Sequence, residues 1–185
     1  PRDFSRSVFV SVMSTGSNMA SLDLFGQVVG QSIAILEQIA TLKNDGTNLA
    51  NTLAAQGLTY VAALDEADRL RDQGQAGIAD RIRNATQESI SATTSSLDSW
   101  AASSPWKTPS EVDYKWHIIT VLITARELQN EGHAAAAAQE VENARQYATN
   151  LDDNVPVLGI FSFGFGSDYQ NFFSPVAASF GFAGV

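Results

Sequence analysis

The chain contains no cysteine. Disulfides, thiolate zinc sites, iron–sulfur clusters and cysteine nucleophiles are thereby excluded. The compartment stays open, because exported and virion proteins also do without cysteine. Charge is scarce as well. Only 17% of the 185 residues are Asp, Glu, Lys or Arg, against about 25% in an ordinary soluble domain. Eleven basic residues face twenty acids, for a net charge of −9. The bases are scattered or, at Arg69/Arg71 and Arg81/Arg83, interleaved with acids. No basic patch with aromatics between them exists, which argues against a nucleic-acid partner and against attraction to an anionic membrane surface.

Long apolar runs are also missing. None reaches the 18 or so residues of a membrane-crossing helix. The nearest approach is Leu24–Leu36, thirteen residues without a charge, interrupted by Gln27, Gln31 and Ser32. Its Gly26 and Gly30 stand in GxxxG spacing, a pattern that lets helices approach closely. The segment predicts a buried amphipathic helix, with a membrane-inserting helix pair as the lesser alternative. The chain opens at Pro1 without an apolar signal-like core, which predicts a terminus made by loss of an initiator Met or by cleavage of a longer precursor.

Motifs of known chemistry are absent too. No HExxH, GxSxG or GxGxxG occurs. The two histidines are His117 and His133. Asp113 and His117 lie four apart on a predicted helix, and Glu127, Glu131 and His133 cluster near the next helix end. Neither set supplies the three or four convergent ligands a metal needs. Leu64-Asp65-Glu66-Ala67-Asp68 resembles the metal- and water-handling motif of DEAD-box RNA helicases, which would imply Mg²⁺ held by the acids. That family also requires a GxxxxGK[ST] loop, and this chain has none. The acids then read as a solvated helix face beside Arg69 and Arg71. No catalytic, cofactor-binding or metal-binding residue is assigned, and a non-enzymatic protein is expected.

What the chain does have is helical periodicity from residue 21 to residue 154. Leu22, Phe25, Val29, Leu36 and Ile39, widened by Val28, Ile35 and Leu42, predict a first helix ending near Lys43, before Asn44-Asp45-Gly46. Leu49, Leu53, Tyr60, Leu64 and Ala67 predict a second, over 47–72. Ile78, Ile82, Ile90 and Leu97 predict a third, over 78–100, whose second half is so rich in Ser and Thr that packing must hold it. Thr108-Pro109-Ser110-Glu111 fits a capping box with proline at the first helical position. The helix it opens carries Trp116, Ile118, Ile119, Val121, Leu122 and Ile123 as the expected centre of the core, and Gly132 ends it. A fifth helix, from Ala134 to about residue 150, opens with five alanines. Leu70-Arg-Asp-Gln-Gly74 echoes Leu128-Gln-Asn-Glu-Gly132, and the alanine spacing around Gly132 is similar to a tetratricopeptide hairpin. That family's large aromatic positions are not met, so the echo predicts only two similar helical hairpins.

The ends differ. In the N-terminal extended segment, residues 1–20, Val8, Val10 and Val12 alternate and predict a strand over Ser7–Met13. In the C-terminal tail, Val155–Val185, lie seven of the ten phenylalanines and one charged side chain, Asp168. Phe161, Phe163 and Phe165 alternate with Ser and Gly, a period-2 strand pattern with an aromatic face. Phe172, Phe173, Phe180 and Phe182 follow in less regular order. So apolar a tail requires a cover: the chain's own helices, another subunit, or lipid. The expected fold is therefore mainly α, about five helices in antiparallel hairpins with short β segments near both ends. The expected function is a structural or assembly protein, a subunit of a virion-like or extracellular particle. It would pack through Phe161, Phe163, Phe165, Phe172, Phe173, Phe180 and Phe182 against copies of itself or other subunits. The alternative is a membrane-active helical protein such as a pore former.

Overall fold

The computed structural model describes residues 19–41, 47–105, 107–153 and 169–182. They form six helices: α1 Met19–Thr41, α2 Thr47–Asp72, α3 Ala76–Ser103, α4 Lys107–Asn130, α5 Ala134–Asp153 and α6 Tyr169–Ser179. The protein is mainly α, and no strand occurs among the described residues. The strands expected over Ser7–Met13 and Ile160–Gly166 lie outside them. The sixth helix was not expected. It occupies the part of the tail where Phe172 and Phe173 read as irregular. The described residues divide into two compact units between Asp113 and Tyr114, inside the continuous α4.

In the first unit α1, α2 and α3 pack pairwise. The buried stripe of α1 is Phe25, Val28, Ser32, Ile35 and Ile39, while Val29 and Leu36 are half-buried. All five residues expected inside α2 are buried. In α3 the centre of the buried face is polar: Ile82 and Leu97 are buried, but Thr86, Ser89 and Thr93 lie between them. Ile78 and Ile90 are only half-buried. The Thr86 and Thr93 hydroxyls donate to the carbonyls of Ile82 and Ser89 one turn back, at 2.8 and 2.9 Å. Bonding to their own helix lets them enter the core without stranding a hydroxyl.

Ser89 adds a contact between helices. Its hydroxyl lies 2.7 Å from the Tyr60 hydroxyl on α2 and donates to that of Ser32 on α1. All three residues are buried, so one hydroxyl chain ties the three helices at their centre. Between α2 and α3, Arg83 pairs with Asp68 and Arg71 with Asp80 at 2.9 Å. The acids of the Asp65–Asp68 stretch are thus partly used in ion pairs, Glu66 with Arg69 among them at 2.7 Å.

The two echoing turns share one geometry. Gln75 N–H donates to the Leu70 carbonyl (2.8 Å) and Gly74 N–H to that of Arg71 (2.9 Å). At the next hairpin His133 donates to Leu128 (2.8 Å) and Gly132 to Gln129 (3.1 Å). Both are Schellman turns with glycine in the left-handed region, φ +79° and +84°. A third closes α6, where Phe182 donates to Ala177 and Gly181 to Ala178, with Gly181 at φ +94°.

In the second unit α5 presents Ala137, Val141, Ala144 and Ala148 as its buried stripe, and α6 packs on α5. Along α4, the buried Val112, Trp116, Ile118, Ile119, Leu122 and Ala125 cover about half the circumference, and Tyr114, His117 and Thr124 are exposed. The helix begins at Lys107, one residue before the expected cap at Thr108.

Candidate functional site

The tail is the feature sequence singled out, and α6 divides its phenylalanines. Phe173 and Phe180 are fully buried within the second unit. They share a helical stripe with Tyr169, Val176 and Ala177, at the 4–3–1–3 spacing of one face. Phe172 and Phe182 are half-buried, and the Lys115 ammonium sits over the Phe172 ring, 5.3 Å from its centroid. Phe161, Phe163 and Phe165 lie outside the described residues.

Both ends of α6 are fastened. At its start, Asp152 near the end of α5 accepts hydrogen bonds from the N–H groups of Tyr169 (2.9 Å) and Gln170 (3.0 Å), one on each carboxylate oxygen. First-turn N–H groups have no helical partner and carry the positive end of the helix dipole, so a carboxylate there satisfies both needs. The Gln170 amide reaches back to the Arg145 carbonyl (3.0 Å) and to the Thr149 hydroxyl. At its end, Arg126 Nη1 donates to the Phe180 carbonyl at 3.4 Å. Pro175 lies inside the helix and has no N–H to give to the preceding turn. A short helix with such an interior is held by these contacts more than by propensity.

An aromatic cluster joins the three helices of this unit. Tyr114 meets Tyr147 and Tyr169 edge-on, with ring centroids 6.4 and 6.2 Å apart. His117 meets Tyr147 at 4.6 Å. Sequence reasoning missed this cluster because its members are far apart in the chain. Tyr169 at the start of a helical stripe was the available signal. His133 stands at the entry of α5, where its carbonyl accepts from Ala137 N–H at 2.9 Å. Among the described residues, no three His, Asp or Glu side chains are placed to hold a metal ion. No described helix is long and apolar enough to cross a membrane.

In the first unit, the Asp113 carboxyl has a displaced proton affinity. Burial pushes the Asp113 carboxyl up from 3.8 to about 6, and the hydrogen bond with Asp98 and the negative charge of that neighbour add to the effect. Grooves open among the described residues of this unit. One, of about 470 Å³, runs between α1 and α3 beside Trp100 and is rimmed by Ser95, Ser96, Ser99 and Ser103. Another, of about 480 Å³, runs between α1 and α2. At that second groove stands Gln56, 1% exposed, with neither its amide nitrogen nor its amide oxygen hydrogen-bonded. Compared with known protein families, with curated proteins and with solved structures, the chain finds no match.

Proposed function

We propose that this chain is a non-enzymatic structural subunit of a larger homo- or hetero-oligomeric assembly, virion-like or extracellular in kind, joined through its Phe-rich tail. One observation carries the reading. Asp152 and Tyr169 are hydrogen-bonded, so the two residues flanking 153–168 are held side by side. Within that segment, residues 154–168 carry Val155, Val157, Leu158, Ile160, Phe161, Phe163 and Phe165 against a single charge, Asp168. An apolar segment fixed at both ends loses less freedom on docking than a free tail does. The interaction is burial: three Phe side chains contribute roughly 1.5–3 kcal/mol each, gross, when covered.

The division of labour follows from α6. Phe173 and Phe180 hold the tail to its own unit, and Phe161, Phe163 and Phe165 are the residues offered to a neighbour. The test is to replace residues 155–167 with a Gly/Ser chain of equal length, leaving Asp152 and α6 intact. Sedimentation velocity is expected to show a smaller species with unchanged helix content. An unchanged sedimentation coefficient would remove the reading.

A further inference from the structure

We infer that residues 7–13 of this chain seat in the groove between α1 and α3, running back along α1 from Met19 as an extended segment. The contact belongs to the first unit and is independent of the tail.

The groove is the first observation. Leu36 and Ile39 of α1 and Trp100 of α3 supply its apolar part, and Ser95, Ser99 and Ser103 follow one side. Leu36 and Trp100 are only half-buried, so apolar surface there stands open to a cover. The two helices run in the same direction. Ser89 donates to Ser32, and further along both helices Leu36 and Ile39 share the groove with Ser95 and Ser103.

Reach selects the occupant. α1 begins at Met19, so Ile39 stands about 30 Å along it at 1.5 Å per residue. A chain retracing that path in extended form covers about 3.3 Å per residue. Met13 then comes level with about residue 32 of α1, and Val10 with about residue 39. Residues 7–13, the stretch with a strand pattern, are therefore the part of the N-terminal segment that passes over the groove. Residues 42–46 must join α1 to α2 and are too few to follow α3 as well.

Register agrees with reach. Ser95, Ser99 and Ser103 stand every fourth residue on α3, about 6.0 Å apart. Two residues of extended chain span about 6.6 Å, so the hydroxyls repeat with the chain's own period. Antiparallel to α3, Val10 falls opposite Ser95, Val8 opposite Ser99 and Arg6 opposite Ser103. Val8, Val10 and Val12 share one side of such a chain and cover Leu36 and Trp100. An extended segment away from a sheet brings backbone N–H and C=O groups that need partners, and serine hydroxyls both donate and accept. The Ser103 hydroxyl, which donates to the Trp100 carbonyl at 3.2 Å, still accepts.

Charge is the last observation. α3 ends at Ser103 with no basic residue in its last turn, and terminal carbonyls carry the negative end of the helix dipole. The register sets Arg6 at that end. Residues 1–18 hold Arg2 and Arg6 against a single acid, Asp3, in a chain of net charge −9.

The absence of cysteine makes the test direct. Two double variants of the full chain are made, Val10→Cys/Ser95→Cys and Val8→Cys/Ser99→Cys. The control is Val10→Cys/Asn51→Cys, since Asn51 is exposed on α2 and lines the neighbouring groove. Circular dichroism verifies that each keeps its helices. Under mild oxidation the first two are expected to close an internal disulfide, seen as a compact band of monomer mass on a non-reducing gel, about tenfold or more faster than the control. Equal rates in all three variants overturn the inference. A product of dimer mass in place of the monomer band also overturns it, because the groove then takes a neighbour's segment instead of the chain's own.

Discussion

The carboxylate of Asp152 accepts the backbone N–H of Tyr169 at 2.9 Å, seventeen residues further on. Through this bond the end of one helix caps the start of the next. Asp152→Ala is expected to destabilise the seating of α6 by about 1–2 kcal/mol, the value of a lost N-cap with its dipole interaction. Asp152→Asn, which keeps an acceptor but not the charge, should fall between. Hydrogen exchange at Phe173–Phe180 reads the effect, and unchanged protection in the alanine variant would contradict this account of α6.

Gly181 is the least replaceable of the three turn glycines. All three have positive φ, but a Cβ at Gly181 would also stand 2.7 Å from Arg126 Nη1, whereas Gly74 and Gly132 face open space. Gly74→Ala and Gly132→Ala are expected to cost about 1 kcal/mol each from backbone strain alone. Gly181→Ala should cost more, about 2 kcal/mol or above, because the guanidinium must also move away from the Phe180 carbonyl. Urea denaturation of the three variants gives the order.

The hydroxyl chain of the first unit predicts an asymmetry. Tyr60→Phe removes an end of the chain and leaves Ser89 bonded to Ser32, for about 1 kcal/mol. Ser89→Ala removes the middle and takes a partner from both neighbours, for about 2–3 kcal/mol. Equal losses in chemical denaturation would mean that the three hydroxyls do not act as one network.

Asp113 sets a pH dependence of unusual sign for a carboxylate. Its proton affinity is raised by folding, from 3.8 to about 6, so between those values the native state binds more protons than the unfolded one. The favourable contribution is present at and below about pH 4 and is lost as pH rises through about 6, amounting to about 1 kcal/mol after solvent screening at a half-exposed site. Asp113→Asn should flatten the stability profile between pH 4 and pH 7. A profile that rises over that window in the unmodified chain and is unaltered by the substitution would sink the assignment.

Most of the helical framework was legible. The 3–4 spacing placed five helices to within a few residues, and the glycine-terminated echoes at Gly74 and Gly132 are indeed the same turn. Thr86, Ser89 and Thr93 were not legible as core, because a hydroxyl enters the interior only if something bonds it. Those partners are the Ile82 and Ser89 carbonyls, Tyr60 and Ser32, which become evident only in the fold. The helix α6 was missed for a similar reason. Pro175 and the paired Phe172–Phe173 obscured a stripe running from Tyr169 through Phe173 and Val176 to Phe180, and its cap comes from Asp152 on another helix. The consequence is practical: cutting the chain before Val155 would remove α6 and the contacts it makes with α5, confusing loss of assembly with loss of fold. Gln56 is the opposite case. It lies among the apolar and small residues of α2, and only the structure shows its amide to be buried without a partner.

The central claim is that Phe161, Phe163 and Phe165 join this chain to a neighbour while α6 holds the tail to its own unit. The most direct measurement is the absolute mass in solution, by light scattering after size exclusion, of the full chain and of a Phe161→Ser/Phe163→Ser/Phe165→Ser variant. The account predicts a defined oligomer for the first and a smaller species of equal helix content for the second. The same mass for both chains would contradict it.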